Sequence, residues 1–164
     1  MRRLAVLAGL LALTAACTAT PATPALRPAP PATAPPVTGP LAAAPAPPRP
    51  PCRPIARACV SLSAKLAWLT RGGRLDYGPV PIAYGTRRNP TPVGRFAVSW
   101  KDRDNTSSIY GTPMPYSVFF APGGVAFHGG DVHTASHGCV HLAMAAARVF
   151  FDRLHPGDVV QVVP

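Results

Sequence analysis

The sequence predicts a mainly β domain with a single α-helix, and three observations support this fold class. Several short segments alternate apolar and polar residues, which is the period of a half-buried strand. Turn-forming runs separate them, among them residues 71–74 (Arg-Gly-Gly-Arg) and 121–124 (Ala-Pro-Gly-Gly). Residues 142–148 are rich in leucine, methionine and alanine and form the one strongly helix-favouring run. Composition and periodicity do not choose between a β-sandwich and a β-barrel.

The individual elements follow from the same patterns, taken in chain order. Residues 60–65 alternate and predict a first strand, and residues 75–84 predict its return, with Pro79 and Pro81 placing part of it at an edge. A strand is predicted around residues 96–100, followed by a polar turn at residues 101–105. Residues 116–120 and 125–127 predict a hairpin, residues 142–154 a helix and residues 159–163 a last strand.

Residues 1–17 have the organisation of an export signal peptide. A short basic start precedes an apolar run of about ten residues and then small residues. This run is shorter than the roughly 20 apolar residues that a transmembrane helix needs. Residues 13–17 (Leu-Thr-Ala-Ala-Cys) resemble a bacterial lipobox, although Thr14 stands where leucine is usual. We therefore favour an exported protein that is lipidated at Cys17 and anchored in the outer leaflet of the membrane; ordinary cleavage nearby is the alternative.

Residues 18–51 are predicted to be a disordered linker rich in proline and alanine. Proline occupies 13 of these 34 positions, and the segment has no aromatic residue. Such a composition cannot bury enough apolar surface to offset the entropy of ordering the chain. In polyproline II conformation, at about 3.1 Å per residue, it would reach on the order of 100 Å. It is predicted to separate the membrane from a folded domain of residues 52–164, which is long enough for one core.

The folded region is basic, with 12 Lys and Arg against 6 Asp and no Glu, for a net charge of +6. A basic surface favours anionic partners. Nucleic acid is disfavoured because the chain has an export signal, no clustered basic runs and no base-stacking aromatic motif. An acidic cell-wall polymer or a lipid headgroup fits better, and a simply solvated basic surface is the alternative.

Two cysteines, Cys52 and Cys59, have six residues between them at the start of the folded region. In an exported protein this spacing predicts a disulfide bond. Closing a loop of this length stabilises the fold by roughly 2–3 kcal/mol in the chain-entropy treatment. The pairing leaves Cys139 alone, and a single unpaired cysteine in an oxidising compartment favours a reactive thiol.

Residues 127–142 hold four of the five histidines together with Cys139. A thiol is a good nucleophile as the thiolate, which a nearby imidazole helps to form. We expect the dipole of the following helix to lower the pKa of Cys139, and Gly138 to leave room beside the sulfur. Two alternatives stay open at this point. A zinc site is disfavoured because the His and Cys spacing matches no common zinc pattern, and the other alternative is a polar turn with a buried free thiol.

Three segments together resemble a known family. Residues 136–140 (Ser-His-Gly-Cys-Val), with His128 and Gly129 upstream, are similar to the signature of the L,D-transpeptidase catalytic domain, the YkuD-like family. Residues 91–96 (Thr-Pro-Val-Gly-Arg-Phe) resemble a second conserved segment of that family, Thr-Pro-x-Gly-x-Phe. The resemblance runs from about residue 60 to the end. It implies a β-sandwich-like fold with the helix after the cysteine, and no metal or organic cofactor.

The resemblance also implies a role for each matching position. Cys139 matches the nucleophile, His128 the general base, and Gly129 the residue whose carbonyl orients that imidazole. Nucleophile, base and orienting group are components that acyl transfer requires. His137 and Gly138, with the backbone N–H of Cys139, match the region that stabilises the oxyanion, and Ser136 matches a residue that supports the loop.

The sequence departs from the family pattern in two places. His128 and Cys139 are 11 residues apart, against about 16–18 in the family, so the connecting loop is shortened. His141 stands where arginine or asparagine is usual, and we expect it to contact substrate as a neutral hydrogen-bonding group or to make substrate binding pH-dependent. Tyr110 and Tyr116 precede the site where the family has a flap and are candidate substrate contacts; sheet packing is the alternative for each.

The function implied is that of a peptidoglycan L,D-transpeptidase located outside the cytoplasm. Cys139 would attack the carbonyl of the third residue of a tetrapeptide stem, release the terminal D-alanine and pass the acyl group to an amine of a neighbouring stem. Water as the acceptor would make the same site an L,D-carboxypeptidase. The non-enzyme alternative is a catalytically silent lipoprotein that binds the cell wall. Covalent labelling of Cys139 by a carbapenem would separate the enzyme from that alternative.

Overall fold

A computed structural model describes residues 48–164, and the predicted signal peptide, Cys17 and residues 18–47 of the predicted linker lie outside these described residues. The described part contains strands and one helix. In chain order they are β1 (Ala58–Ser61), β2 (Leu66–Arg71), β3 (Arg74–Ala83), β4 (Gly94–Ala97), β5 (Trp100–Thr106), β6 (Pro113–Ala121), β7 (Val125–Gly129), β8 (Val140–Leu142), α1 (Met144–Arg153) and β9 (Val159–Val163).

The nine strands form one sheet in the order β4-β9-β1-β2-β3-β8-β7-β6-β5. The sheet curls, so that β4 at one end approaches β6 near the other. Phe96 in β4 and Phe120 in β6 have ring centroids 5.9 Å apart. The two halves of the sheet therefore pack on each other in the manner of a sandwich. The predicted mainly β fold with a single helix is confirmed for the described residues.

The helix packs against the half of the sheet that contains β6 and β7. Its buried face consists of Ala146, Ala147 and Phe150. The Phe150 ring lies 5.1 Å from that of Phe127 in β7, and both side chains are fully buried. Burying an aromatic side chain of this size stabilises a fold by roughly 1.5–3 kcal/mol. This contact fixes the position of α1 relative to β7.

Two predicted elements were wrong. The first strand ends at Ser61, and residues 62–65 form a turn in which Lys65 adopts a φ of 53°, so the alternation continued past the true strand end. Residues 101–105 were predicted to be a polar turn but belong to β5. Because β5 is the last strand of the sheet, it pairs with β6 only and can present charged side chains to water.

The helix begins at Met144, two residues later than predicted, because residues 140–142 extend as β8 instead. β8 is short, and it lies between β3 and β7 near the middle of the sheet. Cys139 therefore precedes a strand and not a helix. This difference bears directly on the chemistry of its thiol.

The start of the domain is attached to the sheet at two points. Cys52 and Cys59 form a disulfide bond with a Cα–Cα distance of 5.7 Å, which joins the incoming segment to β1. The Trp68 indole N–H donates a hydrogen bond to the Pro48 carbonyl at 3.0 Å, so the last residues of the predicted linker contact the domain. Among residues 48–164, no helix has the length and apolar character needed to cross a membrane.

Candidate active site

Cys139 and His128 line the same cavity, which has a volume of about 170 Å³. Ser136, His137 and His141, all singled out from the sequence, line it as well. The rest of the lining comes from the segment before β6, the start of β6, the β6–β7 turn and the start of β7. These residues are Ser107, Ile109, Tyr110, Thr112, Met114, Gly123, Gly124 and Val125. Four of the five histidine and cysteine side chains of residues 128–141 thus meet in one place, and His133 is the exception.

Strand pairing explains why residues 11 positions apart meet here. β7 and β8 are adjacent and parallel, with His128 beside His141 and Phe127 beside Val140. Cys139 therefore lies directly next to Ala126, one position before the first paired residue of β8. The loop between the two strands leaves the sheet and returns to it, so the imidazole and the thiol are positioned by the sheet itself.

His128 is held as a neutral imidazole with one nitrogen free to accept a proton. Its side chain is buried, and Nδ1 lies 2.9 Å from the Gly129 carbonyl oxygen. Because a carbonyl can only accept, Nδ1 carries the hydrogen and Nε2 is left unprotonated. Burial lowers the pKa of His128 to about 4; the Gly129 hydrogen bond opposes this, and nearby His141 adds to it. At neutral pH this imidazole is therefore a base and not a cation.

Gly129 contributes more than its carbonyl. A side-chain Cβ at this position would lie 2.9 Å from Met144 Sδ and 3.2 Å from Pro115 Cγ. The family resemblance assigned a role to the carbonyl of Gly129 and none to its lack of a side chain. In the structure, the first residue of α1 and the start of β6 close over Gly129 and leave no space for one.

Burial raises the pKa of the Cys139 thiol, and a hydrogen bond from the Ala126 backbone opposes that rise only in part. The expected lowering by a helix dipole was wrong, since β8 separates Cys139 from the start of α1. The sulfur packs beside the small buried cluster of Met114, Phe119 and Ala126. It also lies 3.7 Å from the Gly124 carbonyl oxygen, to which it can donate. The resting thiol is therefore neutral.

The loop before Cys139 is held by its own hydrogen bonds and by Thr91. Ser136 Oγ accepts the Gly138 N–H at 3.0 Å and donates to the Cys139 carbonyl. Thr91 Oγ1 donates to the Gly138 carbonyl at 2.8 Å and accepts the Gly85 N–H at 3.0 Å. Both backbone groups of Gly138 are thus engaged, so its N–H is not a free oxyanion donor.

The backbone conformation at position 138 requires a glycine. Its φ is +121°, which side-chain-bearing residues rarely adopt, whereas a Cβ there would approach no atom closer than 3.7 Å. That Gly138 also leaves room beside the Cys139 sulfur stays a prediction. Thr91 was quoted from the sequence only as part of a motif, and its buried hydroxyl is a positioning group that the motif alone did not reveal.

His141 lies between His128 and the loop. Its Nδ1 donates to the Asp131 carbonyl oxygen at 3.0 Å, and its ring meets the His128 ring edge-on at 4.7 Å. The ring also packs against the backbone, since a Cβ at Gly130 would lie 3.1 Å from its Cγ. This arrangement leaves Nε2 of His141 as the nitrogen available to a bound molecule.

The two tyrosines differ in position. Tyr110 is half-exposed, lines the cavity and stacks on His137 with ring centroids 4.3 Å apart. Tyr116 does not line the cavity; its ring meets that of Phe151 edge-on at 5.8 Å and lies under the Arg103 guanidinium. These contacts agree with the sheet-packing alternative for Tyr116, and its contact with substrate stays a prediction. Within residues 48–164, no three His, Cys, Asp or Glu side chains converge in a way that could hold a metal ion.

Acidification is expected to destabilise the fold through His128. The unfolded chain binds a proton on this residue near its ordinary pKa of 6.5, and the native protein only near 4. Between these values the unfolded state binds more protons, so stability falls as the pH falls, by up to about 3 kcal/mol. Denaturant unfolding at several pH values from 7 to 4 measures this. A His128→Gln variant should show a smaller pH dependence, and an unchanged one would contradict this assignment.

Comparison with known proteins agrees with the fold. The family model for the L,D-transpeptidase catalytic domain, YkuD, matches residues 55–162. L,D-transpeptidase 1 of Mycobacterium tuberculosis is 28% identical over 122 residues, covering 63% of this chain and 48% of the relative. Among solved structures, an L,D-transpeptidase from Stackebrandtia nassauensis is 26% identical with a TM-score of 0.61, covering 65% of this chain and 54% of that one. LdtMt1 in complex with imipenem is 28% identical with a TM-score of 0.58, covering 63% and 56%.

These matches define the class of protein. The chain belongs to the L,D-transpeptidase catalytic domain family, YkuD. It spans about half the length of the curated relatives it matches, at 48%.

Proposed function

We propose that this chain is a peptidoglycan L,D-transpeptidase in which Cys139 is the nucleophile and His128 the general base. The observation that carries the proposal is the pairing of β7 with β8, which brings a neutral, oriented imidazole and an unpaired thiol to one cavity. Family membership supplies the reaction class. The substrate is the tetrapeptide stem of peptidoglycan, and the acceptor is an amine of a neighbouring stem.

The pKa shifts favour proton transfer during attack over a resting ion pair. Burial raises the pKa of Cys139 and lowers that of His128, so thiol and imidazole are both neutral before substrate binds. As Sγ bonds to the carbonyl carbon of the third stem residue, Nε2 of His128 takes the thiol proton. The carbonyl oxygen becomes the oxyanion, and the Cys139 N–H is the backbone donor we assign to it. Unlike the Gly138 N–H, it is not bound to Ser136.

Collapse of the tetrahedral intermediate breaks the bond to the terminal D-alanine. The His128 imidazolium returns its proton to the departing amine, and a thioester on Cys139 remains. An acceptor amine then attacks the thioester and loses a proton to Nε2 of His128. The Cys139 thiolate is expelled as the C–S bond breaks, and the imidazolium returns the proton to it. Atoms and protons balance over the two half-reactions, so the kinetics should be ping-pong.

The thiol must change partner when the substrate binds. Its hydrogen bond now goes to the Gly124 carbonyl, in the turn between β6 and β7. That carbonyl can hold a thiol but cannot accept a proton from it, so rotation of Sγ towards His128 precedes attack. Catalytic hydrogen bonds often tighten only when substrate is present.

Substrate contacts are assigned to residues on either side of the cysteine. Tyr110 and His137 line one wall, and His141 offers Nε2 to a peptide group of the donor stem. Ser136 keeps its supporting role in the loop. The enzyme is placed outside the cytoplasm, with Cys17 as its proposed lipid anchor.

Product analysis with a purified disaccharide tetrapeptide tests this proposal. We expect release of D-alanine together with a cross-linked dimer. The L,D-carboxypeptidase alternative predicts D-alanine with a disaccharide tripeptide and no dimer. Incubation with no release of D-alanine, and no adduct on Cys139 after exposure to a carbapenem, would favour the silent cell-wall-binding alternative and contradict both enzymes.

A further inference from the structure

We propose that Trp100 is a binding platform for a sugar of the glycan strand that carries the donor stem. The inference rests on the proposed function and extends it from the peptide to the carbohydrate part of the substrate. It comes from a second cavity of about 450 Å³ that adjoins the catalytic one. Five residues line both cavities: Ser107, Ile109, Met114, Gly123 and Gly124.

Strand register places the indole and the thiol on one face of the sheet. Trp100 pairs with Phe119, Phe119 pairs with Ala126, and Ala126 lies beside Cys139. Residues directly opposite each other on neighbouring strands project to the same side. The side-chain contacts agree, because Trp100 stacks on Phe119 at 3.8 Å and Cys139 packs against the cluster that contains Phe119 and Ala126. The four residues form a row across neighbouring strands.

The length of that row matches the length of the stem. Three strand spacings of about 4.8 Å separate Trp100 from Cys139, or roughly 14 Å between backbones. Three extended stem residues span at most about 10 Å from the attacked carbonyl back to the start of the peptide. The linkage between peptide and sugar continues beyond that. A sugar attached to the stem is therefore carried out of the catalytic cavity and into reach of Trp100.

The lining of the second cavity suits a neutral, hydroxyl-rich ligand with an apolar face. The Trp100 indole covers Phe119 with one face, at an interplanar angle of 7°, yet is 48% exposed, so its other face is open. Beside it lie Asn105, Thr106, Ser107 and Ser108, which offer amide and hydroxyl groups. No charged residue is among those that line this cavity in the described part of the chain. Hexose rings present C–H groups on one face and hydroxyls at the edge, which complements an aromatic face with neutral polar neighbours.

The test compares two donors that differ only in the sugar. The purified chain is assayed with a disaccharide tetrapeptide and with the free tetrapeptide, and kcat/KM is measured for D-alanine release. We expect the disaccharide donor to be favoured by roughly 3- to 10-fold in the wild type, by analogy with aromatic stacking energies. Trp100→Ala should reduce this ratio to about one, and Trp100→Phe should retain part of it.

Controls separate this inference from the proposed function. Leu75→Ala removes another exposed apolar side chain, one that lines neither of the two cavities, and should keep the wild-type ratio. Adduct formation with a small β-lactam should proceed at the wild-type rate in Trp100→Ala, which verifies that the catalytic cavity is intact. A wild-type ratio of one, or an equal loss for both donors in Trp100→Ala, would overturn the inference while leaving the transpeptidase proposal in place.

A direct binding measurement tests the inference even if neither donor is turned over. Absence of turnover with both donors would contradict the proposed function instead. The chain has two tryptophans, and Trp68 is buried at 1% exposure, so a ligand-induced fluorescence change reports on Trp100. We expect a saturable change on titration with the peptide-free disaccharide and none in Trp100→Phe. A flat wild-type titration would overturn the inference. So would self-association that Trp100→Ala abolishes, because the platform would then be the contact for a second copy.

Discussion

Replacing Cys139 with serine should reduce transpeptidation by at least about 10³-fold and prevent any carbapenem adduct. A serine hydroxyl fits the same space, but it is a far weaker acid than a thiol and a poorer nucleophile at neutral pH. The His128 imidazole, whose pKa is lowered to about 4, is too weak a base to compensate. Intact-mass spectrometry after carbapenem exposure, together with D-alanine release, measures both effects.

The same thiol should respond to pH in a defined direction. Because burial raises the pKa of Cys139, the thiolate fraction at neutral pH is small. Alkylation by iodoacetamide should therefore accelerate from pH 7 to pH 10 without levelling off near neutrality. Cys52 and Cys59 are protected by their disulfide, which leaves Cys139 as the reacting site within residues 48–164. A plateau below pH 7 would indicate a resting thiolate–imidazolium pair and contradict the neutral-pair mechanism.

Replacing His128 with glutamine should lower kcat by about 10²- to 10⁴-fold, the range for loss of a positioned general base. Glutamine is close in size and can still hydrogen-bond to the Gly129 carbonyl, so substrate binding and KM should change much less. Steady-state kinetics with the disaccharide tetrapeptide separates the two parameters. Raising the pH should recover part of the lost rate, since hydroxide can then generate the thiolate that the imidazole no longer assists.

His133→Gln is the matched control for this substitution. His133 lies in the loop that follows His128, but it is exposed and does not line the catalytic cavity. The variant should retain wild-type kcat. A loss in His133→Gln equal to that in His128→Gln would mean that the loop as a whole, and not one imidazole, is responsible. An unaffected kcat in His128→Gln would remove His128 from the mechanism.

The sequence predicted the fold class because alternation and turn residues are local signals. The β6–β7 hairpin and the last strand were predicted within a few residues, since each is bounded by glycine or proline. β5 was missed for the opposite reason. Its charged residues 101–104 look like a turn, and only its place at the edge of the sheet makes them compatible with a strand.

The residue types at the site were predictable, and their physical states were not. A resemblance to a family motif identified His128 and Cys139, and strand pairing, which is not visible in one sequence, brings them to a common cavity. The short β8 had no sequence signal strong enough to compete with the helix-forming run that follows it. The predicted direction of the Cys139 pKa shift was therefore wrong. Thr91 could be recognised as a support for Gly138 only after distant segments were seen together.

The parallel pairing of β7 with β8 has a consequence for how such enzymes diversify. His128, the proposed base, lies near the end of β7, and Cys139, the proposed nucleophile, lies just before the adjacent strand β8. The loop between them can gain or lose residues without moving either side chain, because insertions are accommodated at the surface. The proposed reaction chemistry and access to the cavity can therefore change independently in evolution. The short loop in this chain is one of the possible loop lengths.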